Sequence, residues 1–186
     1  MHKFISFLFL VFLGLFSSWT RAEDAIDAYR LRHGDSISVA VWREESLQKE
    51  VLVLPDGSIT FPLAGRIAVA GLSSTEVEKR LAEKLKAFIP EPVVSVMIKS
   101  IDGSRIFILG KVNKPGPVVL SAPTSALQAL SQAGGLDKFA DADAIRIVRG
   151  SGKAQEVLPL RYNQLLKGND LSSDIQLKAG DLILVP

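Results

Sequence analysis

The chain has 186 residues, 22 basic against 20 acidic, 47% of them hydrophobic, and it contains no cysteine. This composition excludes a disulfide scaffold, a thiolate metal site and a lipoprotein anchored through cysteine. The basic excess lies in residues 1–22, which hold Lys3 and Arg21 and no acid; residues 23–186 carry 20 charges of each sign and none of the basic stripe that marks a nucleic-acid binder.

Residues 1–22 read as a secretory signal. Lys3 gives a basic start, residues 4–16 are almost wholly apolar, and Thr20-Arg21-Ala22 puts small residues where a signal peptidase reads. Cleavage is expected between Ala22 and Glu23. The apolar run is shorter than the roughly 20 residues a membrane-crossing helix needs. Export without disulfides fits a bacterial periplasm.

Residues 23–27 are polar. Residues 36–42 then alternate, with Ile37, Val39 and Val41 on one face of a predicted strand. Residues 43–48 read as a charged loop. Residues 49–61 read as a hairpin turning at Pro55-Asp56-Gly57, and residues 65–69 as a short strand closed by Gly71. Ser73 and Glu76 have the spacing of a capping box. Val77, Leu81, Leu85 and Phe88 follow on one helical face, and Pro90 and Pro92 end the helix. Residues 93–98 form the next strand. Residues 100–104, with Asp102-Gly103, divide a first domain over 23–100 from a second over 104–186.

The second half opens on the apolar run 106–109, which stops at Gly110. Pro115-Gly116 supplies a reversal, and residues 118–120 return as a strand. Residues 125–133 predict a helix with Ala126, Leu127, Ala129 and Leu130 on its apolar side, closed by a left-handed cap at Gly134-Gly135. Residues 144–149 are a strand with Ile145 and Ile147 on one face, residues 155–160 its return after a glycine turn, and residues 162–166 a helical turn. Residues 177–185 are the last strand. The segment Leu31 to Val39, LRHGDSISV, echoes Leu177 to Val185, LKAGDLILV, at Leu, Gly, Asp, Ile and Val. Gly34 and Gly180 supply an unusual backbone angle there, and Asp35 and Asp181 can accept from a nearby amide. The fold expected is mixed α/β, of the α+β kind.

Residues able to carry chemistry are few. After cleavage His33 is the single histidine, and no serine or cysteine motif accompanies it, so it reads as a turn residue. Asp35, Asp56 and Asp181 stand beside glycine or proline and read as turn formers. Glu44-Glu45 and Asp141-Ala142-Asp143 lack the ligand spacing of a calcium loop. No phosphate loop, zinc motif or dinucleotide fingerprint occurs, so no catalytic, cofactor or metal residue is assigned and an enzyme is disfavoured. Lys111, Lys114, Arg146 and Arg149 are candidate contacts for an anionic sugar polymer, against ordinary surface charge. Trp42 is a candidate for stacking on a sugar ring or a neighbouring subunit, or for packing in its own domain.

The ordered series of motifs resembles a known family. Tyr29-Arg30-Leu31, Gly34-Asp35 and the strand to Trp42 resemble the opening of the bacterial outer-membrane polysaccharide export proteins. Val53 to Ile59, VLPDGSI, then Pro62-Leu63-Ala64-Gly65, the capped helix and Pro92-Val93-Val94-Ser95-Val96 are similar to the rest of that domain. Leu109-Gly110-Lys111-Val112, Lys114-Pro115-Gly116, Ala133-Gly134-Gly135-Leu136, Val148-Arg149 and Gly180-Asp181 resemble the soluble-ligand-binding β-grasp (SLBB) module that comes after it.

The resemblance implies a non-enzymatic part in exporting capsular or extracellular polysaccharide. It also implies rings stacked round an axial passage, and an inner-membrane chain-length protein, often coupled to a tyrosine kinase, as partner. Three departures from long family members are expected to matter: no lipidated cysteine, one β-grasp module, and no helix after the last strand. Together they imply a soluble periplasmic form associated with the outer membrane through partners, a separate β-barrel supplying the pore. The alternative is a monomeric periplasmic module that binds a glycan or other ligand.

Overall fold

The computed structural model describes residues 29–186. The signal segment, its cut between Ala22 and Glu23, and the polar stretch 23–27 lie outside the described residues. The rest is a mixed α+β protein of ten strands and three α-helices built round two apolar cores.

The first core is covered by β1 (Ser36–Val41), β2 (Glu44–Leu52), β3 (Ser58–Phe61), β4 (Gly65–Ala68), α1 (Ser74–Leu85) and β5 (Val94–Ser100). The alternation in β1 behaves as expected, with Ile37, Val39 and Val41 all buried. β1 lies between β2 and β5, antiparallel to both. Two sequence expectations fail here. The charged stretch 43–48 is not a loop, because a left-handed Arg43 (φ 65°) turns the chain at once into β2. The hairpin over 49–61 also does not form: β2 pairs back on β1, and β3 pairs forward on β4. Pro55-Asp56-Gly57 does turn the chain, but it joins two sheets. β2 is an edge strand with Leu47 its one fully buried residue; edge strands tolerate charges, and this one therefore reads as a loop.

The α1 helix follows its sequence signal closely. The Ser73 hydroxyl accepts from Glu76 N, and the Glu76 carboxylate accepts from Ser73 N at 2.7 Å. Val77, Leu81 and Leu85 are buried, each burial contributing about 1.5–3 kcal/mol. Phe88 does not extend the stripe, contrary to expectation. The helix stops at Leu85, Phe88 is 59% exposed, and Ile89 turns back onto the core instead. Glu78 closes an edge amide of β5, accepting from Val96 N at 2.9 Å.

The capping box carries its own test. Backbone and side-chain hydrogen bonds from Ser73 hold the Glu76 carboxyl below its ordinary value. A depressed carboxylate contributes stability above its unfolded pKa and loses it as pH falls through the folded value. Ser73→Ala is expected to cost about 1 kcal/mol at neutral pH in urea unfolding. The deficit should shrink as Glu76 protonates; a deficit unchanged down to acid pH would count against the reciprocal cap.

The second core is covered by β6 (Arg105–Gly110), β7 (Gly116–Val119), α2 (Ala126–Gln132), β8 (Arg146–Arg149), β9 (Glu156–Pro159), α3 (Tyr162–Leu166) and β10 (Leu182–Val185). The strands order as β7-β6-β10-β8-β9. The last strand is shorter than expected, because residues 177–181 form a turn. β10 runs parallel to β6 and antiparallel to β8. Ser125 caps α2 with a second capping box through Gln128, a Ser-x-x-Gln spacing present in the sequence but not recognised there. Ile106, Ile108, Ile147 and Ile183 face the helices. Among the described residues nothing covers the opposite sheet face, and it leaves Phe107, Leu109, Val119 and Val157 exposed.

Candidate functional site

The sequence echo is a structural repeat. Gly34 has φ 89° and Gly180 φ 91°. Each following aspartate is buried, Asp35 at 0% and Asp181 at 1% exposure. Asp35 Oδ2 accepts from Arg32 N at 2.7 Å, and Asp181 Oδ2 from Lys178 N at 2.8 Å. The outward hydrogen bonds match as well. Gly34 N donates to Val53 O and Asp35 O accepts from Val53 N, whereas Gly180 N donates to Arg105 O and Asp181 O accepts from Phe107 N. One partner residue serves beside an antiparallel strand, and two residues two apart serve beside a parallel one.

The two carboxylates are satisfied differently. Asp35 takes neutral donors: the Tyr29 hydroxyl at 2.7 Å, Arg32 N, and Gly103 N at 2.9 Å. The Gly103 bond ties the first core to the start of the second. Burial and then the Asp35 bond raise the Tyr29 phenol well above its ordinary pKa. Asp181 takes the Arg149 guanidinium, through Nε at 3.0 Å and Nη2 at 2.7 Å. That bond raises the pKa of Arg149.

The remaining motif residues fall into two groups. Asp56 accepts from Ser58 N and Ser58 Oγ and pairs with Arg66, so its carboxylate shapes the Pro55-Asp56-Gly57 turn, in which Gly57 has φ 78°. His33 lies at the same turn, its ring Nδ1 3.3 Å from Leu54 O. The loop after Gly110 is stitched to the end of α2. Asn113 N donates to Gly135 O, Asn113 Nδ2 to Gly134 O, and Lys114 N to Ala133 O. Gly110, Pro115 and Gly116 thus form one structure with the Gly134-Gly135 cap, a union that local reading does not give.

Among the candidate polymer contacts, Lys111, Lys114 and Arg146 are exposed. Arg146 stands on the bare sheet face, paired in register with Leu184 and Pro159. Arg149 points inward, its guanidinium committed to Asp181 and Gln176 O. Trp42 is 70% exposed, above a shallow depression of about 360 Å³ lined by Arg43, Glu44, Glu45, Gln48, Val93 and Ser95.

A larger concavity lies between the two repeated turns and was missed in the sequence. It measures about 730 Å³ and is walled by Tyr29, Arg30, Arg32, Ser104, Ser121 and Lys178. Its residues come from four separate segments. The one sequence signal for it was the echo itself, which places a basic residue after each leucine.

Residues 23–99 match the model of the polysaccharide biosynthesis/export protein family, and residues 104–185 match the SLBB domain. The chain carries a polysaccharide biosynthesis/export domain followed by an SLBB domain. Its β-grasp-like second half succeeds the export domain in the order the motifs required. The chain is 28% identical, over 84% of its length, to the EPS I polysaccharide export outer membrane protein EpsA of Ralstonia solanacearum. It is 28% identical, again over 84% of its length, to the polysialic acid transport protein KpsD of Escherichia coli. It spans 47% of EpsA and 28% of KpsD.

Proposed function

We propose that this protein is a non-enzymatic periplasmic component of a machine that exports a capsular or extracellular polysaccharide. In this reading copies of the chain form a ring-like conduit that hands the polymer towards an outer-membrane pore supplied by a separate β-barrel. An inner-membrane chain-length protein coupled to a tyrosine kinase feeds it. The observation that carries the reading is the ordered pair of family matches, export domain then SLBB domain; a domain division at residues 100–104 belongs to the same proposal. Two features of the fold support it. Among the described residues no helix is long and apolar enough to cross a membrane. The bare sheet face, with Phe107, Leu109 and Val157 exposed, supplies apolar surface for self-association.

Deleting the gene should abolish surface polymer while cells keep the polymerised sugar inside, as read by glycan staining of cell surface and lysate. Light scattering of the purified protein should show a discrete large oligomer. Unchanged surface polymer would overturn the export role; a monomer at every concentration would overturn a ring formed by this chain alone. The second reading, a monomeric glycan-binding module, is favoured by the exposed Trp42 beside Gln48 and Glu45, because carbohydrate sites pair an aromatic face with planar polar groups.

A further inference from the structure

We propose that the cleft between the two repeated turns binds a carboxylate-bearing sugar residue. The inference deepens the export reading and rests on it for the choice of a glycan over another anion. The cleft has the volume of a small-ligand site, about 730 Å³. Three cations line it, Arg30, Arg32 and Lys178, and among the described residues no carboxylate lines it. Arg30 is already held, by Gly71 O at 3.0 Å and Glu76 at 3.5 Å. Arg32 and Lys178 are exposed and have no ion-pair partner among the described residues.

The repeat explains why these two side chains converge. Each comes directly after the buried leucine of its turn, Leu31 or Leu177, and each gives its backbone amide to the buried aspartate three residues on. The backbone is fixed by that bond while the side chain is left to solvent. One cation therefore comes from each half of the protein, at equivalent positions. A guanidinium offers a carboxylate two parallel hydrogen bonds, and an ammonium adds a point charge. Ser121 adds a hydroxyl-bearing residue to the wall, whereas the Tyr29 and Ser104 hydroxyls are bonded to Asp35 and Leu120 O, and Ile101, Leu120 and Pro123 bring apolar surface that suits the C–H face of a sugar ring. Recognition of this kind is electrostatic and must weaken with salt.

The test is isothermal titration of the purified protein with hexagalacturonate, and with maltohexaose as a neutral sugar of equal length. The acidic sugar is expected to bind saturably, at least about tenfold tighter than the neutral one, and to weaken as salt rises. The double variant Arg32→Glu with Lys178→Glu should lose at least about tenfold in affinity and keep its melting temperature, because neither side chain holds the fold. The charge-keeping pair Arg32→Lys with Lys178→Arg should retain binding. Equal binding of both sugars, no binding of hexagalacturonate, or undiminished binding by the double glutamate variant would overturn the site. The export reading fails separately. If deletion leaves surface polymer intact while the sugar still binds through Arg32 and Lys178, the cleft stands and export falls. If deletion abolishes surface polymer but the double variant binds undiminished, export stands and the cleft falls.

Discussion

Replacing Asp181 with alanine is expected to destabilise the protein by about 3 kcal/mol, on the order of 10–20 °C in melting temperature for a unit of this size. The carboxylate is 1% exposed and serves three donors, Lys178 N and two nitrogens of Arg149. Removing it strands the Arg149 guanidinium, whose side chain is only 22% exposed, and frees the amide that sets the turn before β10. Cutting one partner from a buried pair costs more than the pair is worth, since the remaining charge keeps its desolvation cost. Asp181→Asn should fall between, because an amide oxygen can still accept from Lys178 N. Arg149→Met separates the parts: if the pair acts as a unit, the double variant with Asp181→Ala loses clearly less than the two single losses combined. Calorimetry and urea unfolding read this directly. A loss below about 0.5 kcal/mol for Asp181→Ala, the level of an ordinary surface change, would mean the turn does not depend on its carboxylate.

Gly110→Ala should cost about 3–5 kcal/mol, the largest loss expected from so small a change. Two effects combine. Gly110 holds φ 108°, a conformation that side chains rarely adopt, and a Cβ there would run into the carbonyl of Val185. That carbonyl is backbone at the end of the central strand and also accepts from Lys111 N at 2.8 Å, so it cannot step aside cheaply. Gly116→Ala is the control. Gly116 has φ 141° but nothing within 4 Å of its missing Cβ, so backbone strain alone remains, about 1–2 kcal/mol. Equal losses in guanidinium unfolding would show that conformational strain, not the close approach to β10, makes Gly110 necessary.

The sequence showed elements whose cause is local. β1 was legible because its alternate residues enter one core, and α1 because Ser73, Glu76 and the Val77–Leu81–Leu85 spacing act within one helix. β2 was not, because an edge strand buries little and can be as charged as a loop. Phe88 misled because Pro90 lay far enough on to allow another helical turn, and the chain did not take it. The 177–185 segment gave its turn chemistry correctly and its strand length wrongly, since the pairing that starts β10 at Leu182 depends on β6 and β8. Of the candidate site, the exposed Trp42 and lysines could be named in advance. The direction in which Arg149 points, and the convergence of Arg32 with Lys178, depend on how distant segments meet and have no signature in a window of sequence.

The position of β10 has a consequence for the order of folding. Its parallel partner is β6, so Ile183 must find Ile108 across almost the whole of the second half, with β7, α2, β8, β9 and α3 in the intervening chain. Closing that loop is slow compared with zipping the adjacent β6–β7 and β8–β9 pairs, which form from neighbouring segments. A nascent second half will therefore pass through two preformed ribbons with a vacant slot between them, each showing an unpaired apolar edge. A β10 borrowed from another molecule fits that slot as well as its own, so the late step that completes the sheet is also where crowded chains can exchange strands.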